Sequence, residues 1–307
     1  MTWKLHQLNA LIALVDRGSI RGAAQALGIT QPALSSRIAE LEQEVGATLV
    51  NRTAHGTTLT RIGRALFVHA RIVDNHVRRA QEELAQLTHK GVASLTIGAS
   101  PLAAMDIIAP LLVPLQAHDP DVHLTVNEGQ FHEMSVALRE GALDFVVAPI
   151  PLQKQRSKMF RFEELVSYPM RVVARAGHPL GRTRKLAQLA AARWVVGAAT
   201  SSTRSTLEEL YLEYGLPKPA ISVHADAGAL VLASVAASDL LALLPSPLFE
   251  TWSQIAALPI TDPIRPARLG LITLAGTPLT PIAERFVALI RGRAGQVAKA
   301  IASRRGP

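Results

Sequence analysis

Residues 19–49 read SIRGAAQALGITQPALSSRIAELEQEVGATL, and this stretch decides the fold of the N-terminal end. It fits a short helix, a tight turn and a second helix, the layout that seats a helix in the DNA major groove. Ser19 is placed to cap the first helix, 20–27, by accepting a bond from a free backbone N–H. Ala23, Ala24 and Ala26 are small enough for a partner helix to close in. Gly28 fits the left-handed position that ends a helix. Thr30 then caps the second helix, and Pro32 falls in its first turn, where the missing N–H costs nothing. Leu34, Ile38, Leu41 and Val45 step by four, three and four and share one buried face. Pro32, Ser35, Ser36 and Ala39 point away from that face, with Gln31 at its exposed N-terminal end. Gln pairs two bonds to adenine, and Ser bonds several base edges. Arg37 on the flank suits a phosphate, which positions a protein without reading sequence. The alternative is an ordinary helical hairpin with solvated polar residues, but capping, turn and apolar spacing all agree on a DNA-binding pair.

Upstream, Leu5, Leu8, Ile12 and Val15 form one stripe on a helix that packs across the pair. Downstream, residues 49–52 and 58–60 read as two short strands around His55–Gly56, a wing. Arg52 there is within reach of a phosphate or the minor groove, although a lone basic residue in a turn is usually just solvated. The expected DNA-contacting set is Thr30, Gln31, Pro32, Ser35, Ser36, Arg37 and Arg52. From Thr60 to about Leu87 the chain reads helical, and Leu66, Ala70, Val73, Val77, Ala80, Leu84 and Leu87 alternate steps of four and three. That is a heptad seam, which a partner chain would cover, with Leu66, Val73, Val77, Leu84 and Leu87 as its dimerisation residues. The competing arrangement lays the helix on its own domain. Residues 88–91 end the helix as a hinge.

The run AAQALGITQPALSSRIAELEQEVGATLVNRT, followed by TLTRIGRAL, resembles the N-terminal domain of LysR-type transcriptional regulators. The likeness rests on Ala23–Ala24, Gln31-Pro32-Ala33-Leu34-Ser35, Leu41-Glu42, Arg52, Leu59-Thr60 and Gly63. Ser36 departs from the family's longer basic or polar side chain, and Val50 from its usual Phe. Chain length and layout extend the resemblance over essentially the whole sequence. It implies a sensor like a type 2 periplasmic binding protein, with crossovers near 162–166 and 266–269. It also implies double-stranded promoter DNA, a small-molecule effector and RNA polymerase at activated promoters as partners, and a homodimer assembling to a tetramer. Ala99-Ser100-Pro101 and Ser238-Asp239-Leu240-Leu241 are similar to the subgroup holding regulators of aromatic sulfonate and sugar-related genes.

The chain has 307 residues, 49% of them hydrophobic, enough for two or three domains with real cores. Its formal net charge of +8 favours polyanion partners, and Arg17, Arg21, Arg37, Arg52, Arg61 and Arg64 fall in the DNA-binding segment. The basic residues from Arg291 to Arg305 read as a solvated helix end and loose terminus. There is no cysteine, which excludes disulfides, thiol redox sensing and thiolate metal sites. The ten histidines show no metal-ligand spacing, so neither a metal nor a cofactor is expected. The N-terminus lacks a long apolar core and a small-residue cleavage site, which reads as a cytoplasmic protein working at the nucleoid. Residues 227–249 are long and apolar, but Asp239, Pro245 and Pro247 favour a buried helix and strand over a membrane span.

From about Val92 short apolar strands alternate with helices, giving an α/β fold behind the all-α winged helix-turn-helix. The expected strands are 95–98, 122–126, 143–148, 170–174, 194–197, 221–225, 240–244 and 269–274. Residues 95–126 and 194–225 share a layout: strand, Gly-Ala and then a hydroxyl residue, helix, Pro-containing turn, strand. Two related subdomains facing across a cleft follow. The expected division is 1–59 for DNA binding, 60–91 for linker and hinge, and 92–307 for the sensor. Within the sensor, 92–162 with 267–307 form one subdomain and 163–266 the other.

Ser100 opens one helix of the cleft, and Thr200, Ser201 and Ser202 open another. Helix N-termini offer free N–H groups and positive dipole ends, so an organic anion is the expected effector. The competing role of these hydroxyls is plain N-capping. Pro101, Gln130, Phe131, Pro149 and Asp226 complete the expected effector set. Phe131 is open to a core role, and Asp226 and His224 to being surface groups. Arg204 suits an anion or solvent. A transporter's solute-binding protein would carry a secretory signal or lipid anchor. An enzyme would need a constellation, and no G-x-S-x-G, phosphate loop or G-x-G-x-x-G occurs, so no catalytic residue is expected.

Overall fold

The computed structural model describes residues 3–53, 56–88, 93–151, 157–197 and 202–303. The chain divides into two compact units, residues 1–91 with 139–142, and residues 92–138 with 143–307.

The first unit opens with helices α1 (Leu5–Arg17), α2 (Ile20–Ala26) and α3 (Gln31–Val45). The caps fall where local chemistry puts them: Ser19 Oγ accepts from the Gly22 N–H at 3.1 Å, and Thr30 Oγ1 from the Ala33 N–H at 3.3 Å. Gly28 turns the chain between α2 and α3 at φ +62°, a conformation that side chains resist. Leu34, Ile38 and Leu41 are buried against Leu8, Leu11, Leu14, Ala23 and Ala24, and Val45 packs at the edge of this core. The wing is the antiparallel pair β1 (Val50–Thr53) and β2 (Gly56–Leu59).

A long helix, α4 (Arg61–Leu87), follows. Its start is tied to the wing. Thr60 Oγ1 donates to the Thr48 carbonyl at 2.8 Å and accepts from the Gly63 N–H at 2.9 Å. A Cβ on Gly63 would overlap the Leu49 carbonyl oxygen, so only glycine lets α4 approach there. The expected seam splits in two. Leu66 and Ala70 are buried in the unit's own core, whereas Val73 and Leu84 are exposed and Val77 is half-buried. The Leu87 side chain lies outside the described residues. Dimerisation by Leu66 is corrected by this placement, since its side chain is already spent inside the chain.

In the second unit, β3 (Ser94–Ala99) leads into a continuous helical stretch, Pro101–His118. That stretch consists of α5 (Pro101–Ala103), a π turn, a 3-10 turn and α6 (Leu112–His118). It is long and apolar enough to cross a membrane by composition, yet Leu102, Ile107, Ile108, Leu111 and Leu115 are buried in the sensor core. Next come β4 (His123–Glu128), α7 (Phe131–Arg139), β5 (Phe145–Pro149), β6 (Phe160–Tyr168) and β7 (Met170–Arg175). Then follow β8 (Arg193–Val196), α8 (Ser202–Glu213), β9 (Ala220–His224), α9 (Gly228–Ala237), β10 (Ala242–Pro245) and β11 (Ile255–Ala257). The chain closes with β12 (Ala267–Leu274) and α10 (Pro281–Ser303).

The first sheet has the order β4-β3-β5-β12-β6, with β3 parallel to β4 and β5, and β12 antiparallel to β5 and β6. The second region repeats this plan. β8 runs parallel to β9, a bridge joins Trp194 to Leu241 just before β10, and β10-β7-β11 are antiparallel. The two β-α-β layouts seen in the sequence are thus the parallel halves of two similar sheets. Sequence patterning missed β6 and β11. β6 stays in the first sheet as far as Tyr168, and the chain changes sheets at Pro169, beyond the expected 162–166. The chain is back in the first sheet at β12, which opens at Ala267.

One polar lock holds the C-terminal helix against the first sheet. The buried Tyr168 hydroxyl donates to Asp106 Oδ2 at 2.6 Å, and Arg293 donates to the Asp106 carbonyl and Oδ1 at 2.9 and 3.1 Å. Burial, then the bond to Asp106, raises the Tyr168 pKa far above the usual phenol range.

Candidate functional site

The outer face of α3 is polar and open. Thr30, Gln31, Pro32 and Ser36 are exposed, and Ser35 and Arg37 are half-buried. Arg37 forms no ion pair among the described residues. Ser36 Oγ donates to Glu40 Oε1 at 3.0 Å, which spends its proton inside the helix. Arg52 sits on β1, and its side chain lies outside the described residues.

Sequence reasoning passed over the group that holds α3 to the wing. Glu42 Oε1 accepts from the backbone N–H of Leu49 at 2.7 Å and of Val50 at 3.2 Å. The carboxylate satisfies two N–H groups where the chain passes from the helix into the wing, linking α3 to β1. Gln7, almost fully buried on α1, donates to Glu40 and Glu44 of α3 at 3.4 and 3.3 Å. Glu42 thus ties α3 to the start of the wing, and Gln7 ties α3 to α1.

The second unit holds a cleft of about 870 Å3, bounded by residues of both sheets. Ser100, Pro101, Gln130, Phe131, Pro149 and Asp226 all line it. Thr200 and Ser201 lie outside the described residues. Ser202 begins α8, with its side chain outside them. Ser100 is both an N-cap and a cleft residue: its Oγ accepts from the Ala103 N–H at 3.3 Å. Phe131 packs edge-on against Phe160 and Phe162, with centroids 5.5 and 5.8 Å apart, so it is core on one side and cleft on the other. Arg204 pairs with Glu208 at 3.0 Å, and neither Arg204 nor His224 lines the cleft.

The floor is apolar, with Met170, Val195, Val196, Leu243 and Leu244. Trp252, Glu128, Glu209, Glu213, Gly228, Ala229, Arg265 and Arg268 also face the cavity, none of them anticipated. Glu128 closes a strand of the first parallel pair, and Gly228 opens the helix after β9. Positions outside carboxyl ends of strands are where open α/β sheets bind ligands, and that signal was legible. Arg265 and Arg268 arrive from the return crossover, which only tertiary structure places there. Among the described residues no group of side chains suits a metal ion.

Comparison with known proteins agrees with both halves. Residues 5–64 match the family described as "Bacterial regulatory helix-turn-helix protein, lysR family", and residues 90–295 match "LysR substrate binding domain". The chain is 28% identical over 294 residues to the HTH-type transcriptional regulator GbpR of Azospirillum brasilense, covering 94% of this chain and 86% of the relative. It is also 28% identical to the SDS degradation transcriptional activation protein of a Pseudomonas species, covering 93% of this chain and 95% of the relative. Among solved structures, CbnR, a LysR family transcriptional regulator, superposes with TM-score 0.71 at 20% identity, covering 95% of this chain and 99% of that one. CbnR complexed with its target DNA gives 0.68 at 20% identity, with the same coverage.

Proposed function

The chain belongs to the LysR family of transcriptional regulators, binding DNA through its helix-turn-helix and carrying an effector domain; on that premise we propose how its residues divide the work. Gln31 and Ser35 read base edges from the major groove, Thr30, Pro32 and Ser36 border them, and Arg37 with Arg52 holds phosphates. The carrying observation is the pairing, in one chain, of this open polar face with an apolar-floored cleft of about 870 Å3.

The boundaries 1–59, 60–91 and 92–307 are retained, with the inner sensor boundary moved to Pro169. Ser100, Pro101, Gln130, Phe131, Pro149 and Asp226 contact a small-molecule effector, with Thr200, Ser201 and Ser202 completing its seat. Of the helix starts expected to draw an organic anion, Ser100 lines the cleft and the Thr200–Ser202 start lies outside the described residues or side chains; Glu128 and Asp226, which also line the cleft, weigh against a full negative charge. Two chains pair along Val73, Val77, Leu84 and Leu87, whose described members stand unburied on α4. Sensor units also pair to give a tetramer, supported by the free edge of β4 and exposed Leu112 and Val113 on α6. The assembly works on the chromosome in the cytoplasm, meets RNA polymerase at activated promoters, and regulates rather than catalyses.

Effector binding acts only through different affinity for two arrangements of the assembly. Met105→Trp, a half-exposed lining position, fills part of the cleft as an effector would. Expected are unchanged half-sites, an altered footprint between them and altered promoter output. Loss of DNA binding, or no change in footprint and output, would overturn the division of labour.

A further inference from the structure

The polar groups at one end of the cleft specify the effector's chemical class, an inference that rests on the cleft being the effector site. Among the described lining residues, Arg265 faces Glu213 at 3.5 Å and Glu209 at 4.0 Å, and Arg268 faces Glu164 at 3.6 Å. Both guanidiniums therefore have carboxylate partners. Glu128 and Asp226 have no ion-pair partner among the described residues. This is an unwelcoming wall for an anion.

Three donors nevertheless belong to residues that line the cavity with Asp226. Ser100 is only 3% exposed, its Oγ is used as an acceptor, and its own O–H proton has no acceptor among the described residues. Across the cleft, α9 starts at Gly228 with no side-chain cap, and the N–H groups of Gly228 and Ala229 have no acceptor among the described residues. The two walls meet here: a Cβ on Gly228 would stand 3.9 Å from the Pro101 ring. Asp226, two residues before Gly228, lines the same cavity.

The cavity wall thus carries donors and an acceptor together. A carboxylate or sulfonate uses the donors but meets the Asp226 charge. An ammonium ion satisfies Asp226 but faces N–H groups at a positive helix end. A hydroxyl accepts from one neighbour and donates to the other. We propose that Ser100, Gly228, Ala229 and Asp226 form a seat for an uncharged vicinal diol, carried on an apolar body that lies over Met170, Val196 and Leu243.

The test uses the full-length protein and three probes with one apolar body: 1,2-octanediol, octanoate and octylammonium. Calorimetry gives affinity, and fluorescence of Trp252, the tryptophan that lines the cleft, reports location. The diol binds about tenfold more tightly than either ion. Asp226→Asn strengthens octanoate about tenfold while the diol stays within about threefold. Gly228→Ala puts a methyl in the gap facing Pro101 without a clash, and weakens the diol while the melting temperature holds. Octanoate or octylammonium binding most tightly overturns the proposal. So does indifference of octanoate to Asp226→Asn, of the diol to Gly228→Ala, or absence of binding by all three. Any probe that perturbs Trp252 keeps the cleft as the effector site even when the seat fails, and the Met105→Trp footprint decides the cleft separately.

Discussion

Removing the Glu42 carboxylate should loosen the wing from the recognition helix. Glu42 Oε1 accepts two backbone bonds, at 2.7 and 3.2 Å, and the Leu49 donor belongs to a residue with no exposed surface. Hydrogen bonds to a charged group contribute about 1.5–3 kcal/mol, and an abandoned buried N–H costs about 1–3 kcal/mol. The second bond is long and the site half-buried, so the sum is not additive, and Glu42→Ala should cost about 2–4 kcal/mol of local stability. Glu42→Gln keeps an acceptor without the charge and should cost about half as much. Hydrogen exchange of the peptide spanning Leu49 and Val50 reads this directly. The alanine variant should exchange at least about tenfold faster, with peptides of the second unit unchanged. Anisotropy titrations on one operator at fixed salt should show weaker binding with unchanged base preference, because α3 keeps its residues. If exchange and DNA affinity in Glu42→Ala both match the parent within about 0.5 kcal/mol, the coupling of wing to helix is wrong.

Three further outcomes follow. Tyr168→Phe removes the hydroxyl bond to Asp106, which Arg293 still satisfies, and should cost about 1–2 kcal/mol in urea unfolding while DNA binding is unchanged. The Glu163 pKa is lowered by its hydrogen bonds to Arg291 at 2.7 and 2.8 Å, so its contribution is present above the ordinary carboxylate pKa and is lost as pH falls through the depressed one. Both groups are exposed, so Glu163→Gln should flatten the acid limb of stability by less than about 1 kcal/mol. Val73→Glu with Leu84→Glu should lower dimer mass in sedimentation without unfolding the chain, because both positions are exposed within one copy.

The DNA-binding unit was legible because its signals are local. Ser19, Gly28, Thr30 and Pro32 act through neighbours within four residues, and each stands where its chemistry predicted. Strands with continuous apolar runs, such as Phe145–Pro149, were equally plain. β6 was not, since Arg161, Glu163 and Glu164 give it a surface pattern; it lies at the sheet edge, where Arg291 covers Glu163. The α4 period located a stripe but not its cover. Leu66 and Ala70 turned to their own core, and no spacing distinguishes that from a partner chain. Glu42, Arg265 and Arg268 were invisible as site residues because their roles depend on segments brought close only by folding.

The central claim is that the face beginning at Gln31 reads base sequence. Selection from random duplexes at moderate salt, with parent, Ser35→Ala and Arg37→Ala, tests it most directly. The parent should enrich a site with two half-sites spaced by about 10 base pairs or a multiple. Ser35→Ala should relax preference at one position per half-site, while Arg37→Ala should weaken all sites alike and lower the salt dependence. Enrichment of no sequence, or an identical preferred site for parent and Ser35→Ala, would contradict the account.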